Sequence, residues 1–256
     1  MKVIKFDGNK EDFSSEKVYR SAKRAGASND LARKISKEIE GKAYPNIKTA
    51  EIYRDVKKML NQKSSLRFSL KKAIIKLGPT GFPFEKYIGE ILSLQGYKVK
   101  LNQQVAGKCC VHEIDFVAEK NGITYIGECK YRNLADGKVH SKDALANYAR
   151  YLDIKGNKDN IKSILVTNNK FTSKSIKYCK CVGVDLLGWR YPSKGLEHLI
   201  ESQKLYPITI LPGLNNYSAS VLVEKKLMLA KDLLDKDIKL PKKDTLIKQA
   251  KILLDS

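Results

Sequence analysis

The stretch Val111 to Arg132, VHEIDFVAEKNGITYIGECKYR, decides how the middle of this 256-residue chain folds. Two runs of alternating apolar and polar residues flank Asn121-Gly122, a dipeptide that suits a two-residue hairpin turn because both positions tolerate positive φ. A turn that tight pairs Lys120 with Ile123, and counting outward sets Asp115 opposite Glu128. Lys130 lies two residues further along the same strand face, since strand side chains alternate with period two. One face of the hairpin is therefore expected to carry Asp115, Glu128 and Lys130 together. Two carboxylates directly opposite each other repel, and a bound cation reverses the sign of that cost. An Asp plus a Glu suits Mg²⁺, which takes oxygen ligands and keeps several waters. A lysine beside such an ion can orient water or stabilise charge growing on a phosphate. The plain alternative is a solvated hairpin face whose charges only keep it soluble, and that alternative does not require both acids in register.

The pattern Asp115, then Glu128-Cys129-Lys130, resembles the D…ExK signature of the PD-(D/E)xK nuclease superfamily. The surrounding text, Phe84-Glu85, His112-Glu113-Ile114-Asp115 and Glu128-Cys129-Lys130-Tyr131, is similar to the Mrr-type restriction endonuclease branch. The similarity extends through the run VTNNKFT and covers roughly Pro83 to Leu187. It implies a Mg²⁺- or Mn²⁺-dependent endonuclease acting on nucleic acid, DNA before RNA. Asp115, Glu128 and the carbonyl of Cys129 would hold the metal, Glu85 would lean into the site, and Lys130 would position or activate water.

Composition agrees with a polyanionic partner. Lys plus Arg number 49 against 28 Asp plus Glu, a net charge of +21 spread over the chain, and such a field draws nucleic acid or an anionic surface. No apolar run is long enough to span a bilayer, and the start MKVIKFDGNK has no signal-like apolar core, so a cytoplasmic protein without a membrane partner is expected. The five cysteines, at 109, 110, 129, 179 and 181, are odd in number and dispersed, which suits reduced thiols. Cys109-Cys110 and Cys179-Lys180-Cys181 invite a zinc reading, but the sequence shows no convincing second ligand pair.

Taken from its start, the chain opens with a short strand, VIKF, turning at Asp7-Gly8. Ser14 or Ser15 caps a helix over about Ser15 to Ala25, and a second helical pattern runs from Asn29 to Glu40. A third follows Pro45-Asn46 with Thr49 as its cap, and a fourth covers Leu66 to Leu77. VIKFDG, the F-x-x-x-K of Phe13 to Lys17, and IKTAEIYRDV at Ile47 to Val56 together resemble the ATP-cone, a module that senses adenine nucleotides. The resemblance implies ATP or dATP as an allosteric ligand, contacted by Lys5 and Lys17, with Glu11, Ser14, Thr49 and Tyr53 as further counterparts. Phe6 stands where the family usually has an arginine, which removes a bidentate phosphate partner. Cones associate with one another, which leaves room for a homo-oligomer. With no Walker-type loop, binding is expected without hydrolysis.

Gly78-Pro79-Thr80-Gly81 punctuates the chain. The expected fold class is α/β, α+β overall: a mostly helical cone at 1–80, a mixed sheet with flanking helices at 81–195, and a small helical tail at 196–256. Pro83-Phe84-Glu85 opens a helix ended by Gly96, Tyr97 to Val105 is the first core strand, and Ser141 caps the helix after the hairpin. A buried strand at Ile161 to Thr167, a helix capped near Thr172 and a strand at Val182 to Leu187 complete the domain. In the tail, Gly213-Leu214-Asn215 followed by Ala219 resembles a degenerate helix-hairpin-helix turn, with Asn215 replacing a glycine and expected in the left-handed region. The other reading of the tail is a set of amphipathic helices that dock on the nuclease. Leu240 to Leu254 reads as a last amphipathic helix.

Overall fold

The computed structural model describes residues 1–78, 80–134, 136–156, 159–235 and 240–255; Pro79 of the expected junction lies outside them. Where one strand is expected at the start, there are three. β1 (Lys2–Ile4) pairs antiparallel with β2 (Lys10–Asp12) and parallel with β3 (Ile47–Lys48). Next to this sheet lie α1 (Ser15–Arg24), α2 (Asn29–Lys42) and α3 (Thr49–Met59). The Ser14 side chain accepts the Lys17 N–H at 3.2 Å, as the sequence leads one to expect, and Ser28 accepts that of Leu31 at the start of α2, so two orphan donors are satisfied. Thr49 is not a cap. It is the first helical residue, and Lys48 precedes it without a side-chain bond, because β3 runs straight into the helix. Val18, Ala22, Ile35, Ile39 and Val56 meet at helical spacing to form this core.

The expected fourth helix is two: α4 (Gln62–Phe68) and α5 (Leu70–Ile75). They break at Ser69, whose hydroxyl donates to the Ser65 carbonyl at 3.0 Å while its N–H bonds Leu66. A serine hydroxyl competing for the carbonyl of the preceding turn disturbs a helix in this way. Leu66, Leu70, Ile74 and Leu77 then join the large core of the rest of the chain. Phe68 points back to the first core, where it stacks on Tyr53 at 4.9 Å.

α6 (Phe82–Leu94) takes Pro83 in its first turn and is followed by Gly96 at φ 84°. β4 (Lys98–Ala106), β5 (Val111–Lys120) and β6 (Ile123–Cys129) form an antiparallel meander. Asn121 and Gly122 have φ of 52° and 75°, and the ladder runs from Lys120↔Ile123 to Phe116↔Gly127, the register expected of that turn. β7 (Lys138–Val139), α7 (Ser141–Lys155), β8 (Ile161–Val166), β9 (Lys170–Phe171), α8 (Ser173–Val182) and β10 (Asp185–Leu187) follow. The main sheet has the order β10-β8-β6-β5-β4, with β6, β8 and β10 parallel, and β7 pairs with β9 outside it. The fold class is therefore mixed α/β, as expected. α7 is capped at His140, not Ser141, and the Asp143 carboxylate accepts the His140 N–H at 3.0 Å.

Helices cover both faces of the sheet. Phe116, Ala118 and Leu101 face the core of Phe84, Ile88 and Ile91 on α6, while Ile114, Val117 and Ile126 meet Tyr151 and Ile154 on α7. Ile114 and Val117 share a face although they are three apart, so strict alternation is broken between them. Asn102, the β4 residue facing Asp115 in this register, adopts φ 50°. The left-handed residue and the change of phase coincide at Asp115.

α9 (Leu196–Ser202), a 3-10 turn at Ile208–Ile210, α10 (Asn216–Glu224), α11 (Asp232–Asp235) and α12 (Lys243–Leu254) make the tail. The expected left-handed Asn215 is corrected. It has φ −80° and is an extended N-cap whose side chain accepts the Ser218 N–H at 2.7 Å. A single 3-10 turn stands where a first hairpin helix would be. The tail instead docks on the body: Leu196, Ile200, Leu222 and Leu253 join the core of α5 and α6, Thr209 Oγ1 donates to the Ala73 carbonyl and Tyr87 Oη to that of Leu205, both at 2.6 Å. Among the described residues no helix is long and apolar enough to cross a membrane.

Candidate functional site

The end of the hairpin collects the expected carboxylates. Past the last ladder pair, Asp115 Oδ2 accepts the backbone N–H of Cys129 at 2.6 Å, which ties β5 to β6 and leaves Oδ1 outside that bond. Glu128 is 7% exposed and is held from both sides: Lys130 Nζ donates to Oε1 and Arg150 Nη1 of α7 to Oε2. Burial and the neighbouring Glu128 charge push Asp115 up to about 6. Glu85, in the first turn of α6, is pushed up to about 7 by burial and then by the charges of Asp115, Glu128 and Glu113. Three acids from α6, β5 and β6 thus feel one another, and Lys130 lies among them. The Cys129 side chain is buried on the α6 side, where the same acids raise its thiol pKa, after burial itself. Its backbone stands beside Asp115.

A run of buried polar residues after β8 sets the position of Lys130. The Lys130 N–H donates to the Val166 carbonyl at 2.7 Å, Thr167 Oγ1 donates to the Lys130 carbonyl at 2.6 Å, and the Asn168 amide bonds both the N–H and the carbonyl of Arg132 at 2.8 Å. Buried amides and hydroxyls need such partners, and here they are spent on the strand end that carries the lysine. Beside it, Gly81, Lys130, Tyr131, Arg132 and Asn133 line an open cleft of ≈ 450 Å³. On β4, Gln103 Nε2 donates to the Leu101 carbonyl at 2.6 Å.

A second cavity, ≈ 200 Å³, opens between α1, α3 and β2, and Glu11, Ser14, Lys17, Thr49 and Tyr53 all line it. Lys5 does not line it. Its Nζ lies 3.1 Å from Asp136 Oδ1 and 3.8 Å from Glu11 Oε2, and Asp136 belongs to the segment between β6 and β7. Phe6 is half exposed. Lys72 Nζ of α5 stands 3.4 Å from the centre of the Tyr53 ring and 5.4 Å from that of Phe6, so a cation approaches the place where the usual arginine is missing.

The sequence did not single out Arg150, Asp136 or Lys72. Arg150 is 22 residues from its partner Glu128 and follows no motif. The buried polar run Thr167-Asn168-Asn169 did carry a signal, since three consecutive polar residues beside a β-branched strand call for partners.

Residues 1–73 match the family model of the ATP cone domain, and residues 79–188 match the model of a restriction endonuclease domain. An uncharacterized protein of Archaeoglobus fulgidus is 42% identical over 127 residues, 48% of this chain and 71% of that protein. The crystal structure of a protein of unknown function, AF1548, superposes with a TM-score of 0.59 at 33% identity over 69% of this chain and 100% of its own. The MspJI restriction endonuclease in complex with a 27-mer oligonucleotide covers 72% of this chain and 39% of its own at 12% identity, and its TM-score of 0.41 is too low to argue from. The chain belongs to one family with the Archaeoglobus fulgidus protein, and it joins an ATP cone domain to a restriction endonuclease domain.

Proposed function

We propose that this protein is a metal-dependent endonuclease that hydrolyses phosphodiester bonds of nucleic acid, DNA in the first place, under the control of an adenine nucleotide bound in the cone. The observation that carries the reading is the convergence of Asp115, Glu128 and Glu85 around Lys130, with Asp115 and Glu85 held well above the usual carboxylate range. The donors are oxygens, the set that Mg²⁺ or Mn²⁺ takes, and crowded acids lose their mutual repulsion when a divalent cation joins them. Asp115, Glu128 and the Cys129 carbonyl would hold the ion, which when bound polarises the phosphate and acidifies a water. The remaining roles fall to the chain itself. Lys130 orients the attacking water and stabilises charge on the phosphate, Arg150 keeps Glu128 aimed, and Glu85, near 7, holds or releases a proton at working pH. The +21 charge draws the polyanion to the cleft.

For regulation, the Lys5–Asp136 pair supports the reading. A triphosphate in the cone cavity competes with Asp136 for Lys5, and Asp136 lies on the segment that continues from Lys130 and Arg132. ATP or dATP is bound and not hydrolysed, through Lys17, Lys5, Glu11, Ser14, Thr49 and Tyr53, with Lys72 replacing the charge absent at Phe6. Self-association through the cone is one form the response takes, and five free thiols suit a cytoplasmic setting.

The test is cleavage of plasmid and single-stranded DNA by the full chain with Mg²⁺ or Mn²⁺, with and without ATP or dATP. Metal-dependent cutting is expected, and Lys130→Ala should lower it by about 10²–10³-fold. Binding without cutting under every metal and nucleotide would sink the enzyme reading and leave a catalytically silent nucleic-acid-binding protein.

A further inference from the structure

Away from the carboxylates, the turn between β4 and β5 brings a thiol, an imidazole and a carboxylate to one point. Ligand atoms of Cys110, His112 and Asp153 all lie within 4.8 Å of one another. Cys110 Sγ is 3.5 Å from His112 Nε2, and His112 Nε2 is 2.7 Å from Asp153 Oδ2. The turn is built around Asp153 of α7. Asp153 Oδ1 accepts the Cys109 N–H at 2.8 Å, its backbone carbonyl accepts that of Lys108 at 3.0 Å, and Gly107 N–H closes the turn on the Cys110 carbonyl at 2.8 Å. A Cβ at Gly107 would lie 2.0 Å from Asp153 Oδ2, so only glycine lets the carboxylate reach this position. The Cys109 thiol also reaches Asp153.

We propose that Cys110, His112 and Asp153 form a site for a borderline-soft divalent cation of the Zn²⁺ class, with Cys109 adjacent as a fourth donor. Metal–donor bonds of about 2.0–2.3 Å in a tetrahedron set neighbouring donors roughly 3.3–3.8 Å apart. The Cys110–His112 separation already meets that spacing. The His112–Asp153 pair is closer because a shared proton, not an ion, joins it, and a small rotation of the carboxylate opens it. Mixed sulfur, nitrogen and oxygen ligands favour Zn²⁺ over Mg²⁺, while the all-oxygen set at Asp115 and Glu128 favours the reverse. The two sites therefore take different metals in one domain. Asp153 follows Arg150 by three residues, one turn of α7, so an ion here fastens the β4–β5 turn to the helix that supplies the partner of Glu128.

Cobalt titration of the full, reduced chain tests this, because a thiolate on Co²⁺ produces a charge-transfer absorption that carboxylates alone cannot. One equivalent of Co²⁺ is expected to produce that band, one equivalent of Zn²⁺ to bleach it, and excess Mg²⁺ to leave it. Cys110→Ser should weaken the band, and Cys109→Ser with Cys110→Ser, both at exposed positions, should remove it with an unchanged circular dichroism spectrum. His112→Ala should weaken Co²⁺ binding by about tenfold or more, and Asp115→Asn should leave it intact. No band at stoichiometric Co²⁺, a band that survives the double change Cys109→Ser with Cys110→Ser, or one that disappears in Asp115→Asn overturns the proposal. None of these outcomes bears on cleavage, which is read separately with Mg²⁺.

Discussion

Asp115 Oδ2 accepts the Cys129 backbone N–H at 2.6 Å, one residue beyond the last paired position of the hairpin. That bond holds a charged side chain at the exit of β6 and fixes which carboxylate oxygen stays available for another partner. An asparagine can accept the same N–H without the charge. Asp115→Asn is therefore expected to fold, and to lose Mg²⁺-dependent cleavage by about 10³-fold, within the range of removing one electrostatic group from an active centre. Plasmid nicking against time measures it.

The same acids govern stability against pH. Asp115 sits near 6 and Glu85 near 7 in the folded chain, against about 4 for both when unfolded. Between these values the folded state binds more protons than the unfolded one, so their contribution is full below about pH 4 and is lost as pH rises to about 7. Without metal, melting temperature should fall across that window. Added Mg²⁺ at pH 8 should restore it, and Asp115→Asn should flatten the profile. Thermal melts from pH 4 to 8 check the sign, and a slope that Asp115→Asn leaves unchanged would exclude Asp115 from this role.

Lys130 and Arg150 hold the two oxygens of Glu128 but differ in expected effect. Lys130→Ala should cut turnover by about 10²–10³-fold with DNA binding retained. Arg150→Ala should raise the Mg²⁺ concentration needed for half-maximal rate, because it removes the group that aims Glu128. Rate against metal concentration separates the two.

Lys17→Ala and Lys72→Ala should each weaken ATP binding by about tenfold, the scale of losing one charge-assisted phosphate contact. Asp136→Asn releases Lys5 and should leave ATP bound but reduce its effect on cleavage. Calorimetry beside the cleavage assay reads both.

Gly127 carries a packing prediction. A Cβ there would lie 2.0 Å from Phe116 Cζ, in the fully buried core under α6. Gly127→Ala should destabilise the protein by about 1–3 kcal/mol or more, the cost of overpacking, shown by a lower urea midpoint.

What was legible in the sequence is local. Asn121-Gly122 and the alternation on either side set the hairpin register, so Asp115, Glu128 and Lys130 came together by counting. Ser14 and Thr172, both read as caps, accept N–H groups at helix starts within three residues of themselves. Expectations failed where a side chain took a backbone partner that the apolar pattern does not show: Ser69 bonds the Ser65 carbonyl where the helix breaks, and Asn215 accepts the Ser218 N–H as a cap. Only the tertiary structure could bring Arg150 to Glu128, Lys5 to Asp136, or His112 to Asp153 across 41 residues. Turn type and side-chain period act over a few residues and are written in residue order. Pairs joined by packing a helix on a sheet depend on where the whole helix settles, and no spacing in the chain encodes that. The vicinal cysteines show the difference most directly: Cys109-Cys110 had no second ligand pair in the sequence, and the fold supplied His112 and Asp153.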